Sequence, residues 1–391
     1  MPEHSLFLSS SLISRLFTTD SSGTTTVADA GDITTTTGKV VFGENREGSL
    51  STSGDVTTSG GDVQFTRSMV LGKDVSIDTG ITTGNIDFSG SVDGDYLLSL
   101  TAGTGDISFE SAAGGTTPLS GLKVASAENL KFDSAVSVDD EGLDITSTTV
   151  GIDGAVTTTN GGTAKITNSC LLTIGSAGDM SLDGQFTQDG EGLVSIAGDI
   201  KTSSDDISFA SGLTLSGDIK LDTGSGGGDI SFSESIDGIR ALTVETGTGD
   251  ATFTGAVTGL SGLTIDTGGT LTTTSSVSIS GDVSLTVNDI DLGSTLDAGT
   301  DDVLIAGQSG RSMSVGTDTS NNIEIDNTEL SNITAGSLTL ETVGKDITIA
   351  GLETGDLIGI DAESGLKLDT GSGAGDISFV DTDSELGVSL T

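Results

Sequence analysis

The sequence predicts an all-β protein: a right-handed parallel β-helix, or β-solenoid, with coils of about 21 residues. Three observations predict it. The stretch DTGSGGGDISF at 222–232 returns as DTGSGAGDISF at 369–379, 147 positions later. Tripeptides of the form apolar, any, apolar recur at 219, 242, 263, 283, 303, 323, 347 and 366, in steps of 23, 21, 20, 20, 20, 24 and 19 residues. The composition is that of a thin core, with 59 Gly, no Trp, one Tyr and aromatics at 3%. Large aromatic side chains normally fill a broad core, so a chain that lacks them has to bury its apolar residues in a narrow one.

Residues 1–30 are read as an N-terminal cap or leader. The stretch SLFLSSSLISRLF at 5–17 has an apolar middle, but Glu3 and His4 replace the basic start of a secretory signal and Arg15 interrupts the run. The competing reading is an amphipathic helix with Leu6, Ile13, Leu16 and Phe17 on one side, covering the end of the stack. From 31 to 391 the chain reads as one continuous solenoid with a super-repeat of about 144–147 residues. Its copies run at about 76–219 and 220–366, with a partial copy from 367. Residues 77–115 align without a gap to 221–259.

Alternation within each tripeptide is the period of a strand with one buried face. A coil of two or three short strands cannot bury that face alone, whereas stacking each coil on the last buries a continuous core. Equivalent strands then pair in parallel at about 4.7–4.9 Å, and parallel crossovers within one sheet are right-handed. Ile219, Leu242, Leu263, Val283 and Val303 are expected in one inward stack. In the repeated phrase, Gly224, Gly226, Gly227 and Gly228 supply backbone freedom at a corner and Asp229 bonds nearby turn amides. Ile230 and Phe232 point inward and Ser231 outward, which stacks Phe232 on Phe253 one coil later.

Coils carrying LTV-type strands and TGxGDISF corners resemble the repeat regions of very large bacterial surface and secreted proteins, above all the filamentous haemagglutinin-like adhesins. The resemblance covers residues 31–391 and is one of composition. It implies a structural or adhesive shaft, extracellular or on the cell surface, but no receptor. A chain ending at GVSLT, 387–391, without a polar cap is expected to join others end to end or to belong to a longer shaft, with a host or matrix surface as a further partner.

With 14 Lys plus Arg against 58 Asp plus Glu, the net charge is -44. Nucleic acid and anionic membrane both require clustered positive charge, so neither is an expected partner. No segment is long and apolar enough to insert in a membrane. Cys170 is alone, so no intramolecular disulfide forms, and it reads as a small core residue.

No enzyme is predicted. His4 is the one imidazole and lies at the terminus, which leaves no Ser-His-Asp or Cys-His arrangement. Paired carboxylates serve in glycoside hydrolysis, so an extracellular polysaccharide-acting β-helix enzyme is the alternative, but Tyr96 is the one Tyr and the even steps leave no room for long loops. An ice- or mineral-binding solenoid is a second alternative, raised by Thr tracts at 24, 34, 157 and 272. These are too sparse for a Thr-x-Thr face on every coil.

Asp206, Asp229 and Asp250 are the candidate metal ligands, with Ca²⁺ the candidate ion; their spacings of 23 and 21 stack three carboxylates at one corner. A calcium-binding nonapeptide is rejected because those repeats return every nine residues. Like charges about 4.8 Å apart repel by roughly 0.9 kcal/mol even in water. Either the side chains turn away to bond backbone, the commoner behaviour of Asp in turns, or cations lie between them.

Overall fold

The computed structural model describes residues 11–380 apart from 14–16, 20–23, 30, 37, 44–47, 318–321, 353–354 and 362–364. Parallel strands stack as a β-solenoid of about 13 turns, about 21 residues apart. Two compact units, residues 1–200 and 201–391, divide the chain.

In the first unit each coil lays down up to three short strands. One row runs from Phe17–Thr19 through Val40–Phe42, Val63–Phe65, Ile86–Phe88, Ile107–Phe109 and Asn129–Phe132, every pair parallel and in register. From Val63–Phe65 onward its inward positions are buried and the residues between them at least partly exposed, as a two-residue period requires, whereas Val41 in the strand before is buried. Phe42, Phe65, Phe88, Phe109 and Phe132 fall at the same register and stack with ring centroids 4.5–5.1 Å apart. Ser11–Ile13 pairs with Ile33–Thr35 and Phe17–Thr19 with Val40–Phe42. The amphipathic-helix reading of 6–17 is therefore corrected over 11–13 and 17, because short Ser- and Thr-rich runs gain more from ladder bonds to the next coil than from a helix with no partner. Residues 1–10 lie outside those described.

The second unit repeats the plan. Ile219 pairs with Leu242, Leu242 with Leu263, Leu263 with Val283 and Val283 with Val303, and all five are at most 4% exposed. Phe232 stacks on Phe253 at 4.8 Å, as the 21-residue step predicts, and on Phe209 at 5.7 Å.

Beyond Val303 the even step fails. Val303 pairs with Leu338 and Leu338 with Leu366, so the tripeptides at 323 and 347 do not belong to this stack. They lie in a separate sheet, where Met313–Gly316 pairs with Ile323–Ile325 on one side and Ile347–Ala350 on the other. The chain makes an excursion between Gly307 and Ser337 that carries the helix Asn327–Ser331. Apolar alternation marks a strand with a buried face, and it is silent about which sheet receives that strand.

Cys170 is exposed, not in the core. It sits between the strands Ala164–Asn168 and Leu172–Ile174, where its carbonyl accepts from Asn168 Nδ2 at 2.8 Å. In the third copy Ile377 and Phe379 are 42% and 47% exposed where their counterparts Ile230 and Phe232 are buried. The terminal GVSLT lies outside the described residues. No described helix is long and apolar enough to cross a membrane.

Candidate functional site

Asp206, Asp229 and Asp250 each precede an inward-facing strand by one residue, and the strands Ile207–Phe209, Ile230–Phe232 and Ala251–Phe253 pair in register. Register therefore stacks the three carboxylates in an exposed column. Each has one oxygen committed. Asp206 Oδ1 accepts from the Asp229 amide at 2.8 Å, Asp229 Oδ1 from the Asp250 amide at 2.8 Å, and Asp250 Oδ1 from the Thr270 amide at 2.7 Å. Asp229 thus bonds an amide of the following coil, not of its own turn. The bond extends the ladder one step past the strand, where a backbone amide would otherwise have no partner.

The same bond recurs at other coils. Asp55 accepts from Ser76 at 2.8 Å, Asp74 from Leu97 at 3.1 Å, Asp218 from Ala241 at 3.0 Å and Asp346 from Asp376 at 2.9 Å. Among the described residues no three His, Cys, Asp or Glu side chains converge to hold a metal ion. What the column offers is a row of exposed carboxylates, one per coil.

The corner itself is closed from within by Thr. Thr223 is fully buried and its hydroxyl donates to the Gly228 carbonyl at 2.8 Å. Thr79 does the same to Gly84 at 2.6 Å and Thr246 to Gly249 at 2.6 Å. The residue before completes an Asx turn: Asp222, Asp78 and Asp369 each accept from the amide two residues on, of Gly224, Gly80 and Gly371, at 2.7, 2.7 and 2.8 Å. Of the four glycines in the phrase only Gly224 has a positive φ, +77°. Gly226 and Gly228 are required for space: a Cβ at Gly228 would lie 2.5 Å from the Asp205 carbonyl oxygen. The signal for this corner was the D-T-G triplet itself.

Lysines are spent on nearby carboxylates. Lys220 pairs with Glu245 at 2.7 Å and Asp222 at 3.4 Å, and Lys201 reaches Asp222 at 3.4 Å. The Glu245 hydrogen bond raises the Lys220 pKa. Burial works to raise Asp222, but the Gly224 amide and the two lysines hold it below the usual carboxylate range.

A shallow groove in the first unit gathers Asp29, Asp32, Asp55, Asp74, Lys73 and Tyr96. Its carboxylates are engaged: Asp32 accepts from the Asp55 amide at 3.0 Å, Asp55 and Asp74 cap the ladder as above, and Asp29 pairs with Lys73 at 2.6 Å. That arrangement braces one coil against the next.

No protein-family model, no curated protein and no solved structure matches this chain significantly.

Proposed function

We propose that the chain is a structural or adhesive shaft of a bacterial cell-surface or extracellular protein, joined to others end to end or forming one segment of a longer shaft. The observation that carries this reading is the in-register stacking of coils in each unit. Strand bonds, Phe stacks and Asp-to-amide bonds all join one coil to the next, so the design spends its interactions along the stacking direction. Outward positions are left to small polar and charged side chains such as Ser231, Thr252 and Thr272, which suit a solvated surface. Loosely held Ca²⁺ along the exposed carboxylates of Asp206, Asp229 and Asp250 belongs to the same reading, because screening a column of like charges favours the stacked state.

Sedimentation velocity and negative-stain microscopy at increasing concentration test the assembly. An elongated particle that lengthens with concentration supports it; a particle that stays monomeric, from a gene encoding nothing beyond Thr391, overturns it. Antibody labelling of intact source cells tests the location, and a signal found only after lysis counts against a surface shaft.

A further inference from the structure

The strand Asp289–Leu292 pairs in register with Thr270–Thr273 on one side. On its other side, side chains take over from backbone. The Leu292 amide donates to Glu329 Oε1 at 3.0 Å, the Leu292 carbonyl accepts from Asn332 Nδ2 at 3.2 Å, and the Glu324 amide donates to Asp289 Oδ1 at 3.2 Å. The second Glu329 oxygen accepts from the Asp326 amide at 2.9 Å while Asp326 Oδ1 accepts from the Glu329 amide at 2.8 Å, a capping box that opens the helix Asn327–Ser331. One carboxyl group therefore both starts the helix and fastens it to the sheet. Leu330 of the same helix is fully buried, as are Ile323 and Ile325 of the strand that precedes it.

The charges that face Glu329 are Asp326 of its own turn and Asp291 of the strand beneath, both acidic. Among the described residues no cation is set against them. Two amide donors favour the carboxylate, yet burial, reinforced by the two aspartates, pushes the Glu329 carboxyl up to about 7.

We propose that Glu329 makes this attachment a pH-sensitive clasp, in which the neutral acid holds the helix against Asp289–Leu292 and the ionised form loosens it. In the closed state the proton is bound more tightly than in the opened one, where the carboxyl returns toward 4.5. The contribution to closure is therefore fully present below about 4.5, falls as pH rises, and is lost through about pH 7. Most carboxylates in folded proteins behave in the opposite sense. Opening would uncover a strand edge of the stack, so the pH at which the clasp loosens is also the pH at which that edge becomes available.

Hydrogen exchange read by mass spectrometry, corrected for the intrinsic chemical rate, tests this on the full chain between pH 5 and 8. Peptides covering 289–292 and 323–331 are expected to lose protection roughly tenfold to a hundredfold as pH rises from 5 and to level off above about 7, while the strand Val283–Val287 holds constant. Glu329→Gln is expected to flatten the dependence. Protection that does not fall between pH 5 and 7 in the wild type, or an unchanged dependence in Glu329→Gln, overturns the clasp. If that variant does not fold, Asp291→Asn decides. Removing a facing negative charge lowers the pH at which protection levels off if Glu329 is the titrating group, and an unmoved end of the decline overturns the proposal.

Discussion

Thr223 looks like an ordinary strand residue, but its hydroxyl is sealed inside the corner against the Gly228 carbonyl. Thr223→Val keeps the shape and removes the donor, which leaves a buried carbonyl short of a bond; about 1–3 kcal/mol of stability is expected to disappear in urea unfolding, with Thr223→Ser recovering most of it. The aspartate column calls for a different substitution. Asp229 is needed as an acceptor for the Asp250 amide, not as a charge. Asn can do the same, and the first unit already uses it: Asn85 donates its amide to Asp62 and its own Oδ1 accepts from the Asp106 amide at 3.0 Å. Asp229→Asn is therefore expected to be neutral or slightly stabilising, while Asp229→Ala costs about 1 kcal/mol. A thermal midpoint lowered equally by both variants would show that the negative charge itself is required.

Strands and corners were legible in the sequence to different degrees, for physical reasons. The inward stack from Ile219 to Val303 and the Phe232–Phe253 pair were readable because parallel stacking demands the same side chain at the same register in coil after coil. The roles of Thr223 and Asp222 were harder to see, since a donor to a carbonyl five residues on leaves no periodic trace beyond the D-T-G triplet. The excursion after Gly307 misled for the opposite reason: IEI at 323 has the right alternation and nearly the right spacing, but pairs with Met313–Gly316. Its helix had a local sign, DNTE at 326–329, the acid-x-x-Glu pattern of a capping box. At this scale the aromatic stack is the element most sensitive to change. Phe232 is 2% exposed between two other rings, and Phe232→Ala is expected to cost about 3–5 kcal/mol, with Phe232→Leu losing clearly less in the same denaturation experiment.

For the whole molecule, a net charge of -44 sets the terms. Self-repulsion opposes any compact arrangement of so many carboxylates, and salt relieves it. The thermal midpoint is expected to rise with NaCl, and to rise further with millimolar CaCl₂ at equal ionic strength if divalent ions sit along the exposed carboxylates. Equal midpoints in the two salts would leave Asp206, Asp229 and Asp250 as ladder residues alone. Those ladder bonds also share a sense. In Asp32 to Asp55, Asp206 to Asp229, Asp229 to Asp250 and Asp346 to Asp376, the earlier residue supplies the oxygen and the later one the amide. Within each unit the coils are thus joined like a zipper, each holding carboxylate teeth toward the next coil and amide slots toward the one before. A chain emerging N-terminus first finds each row of teeth already set when the next turn arrives, so growth is templated in the order of synthesis.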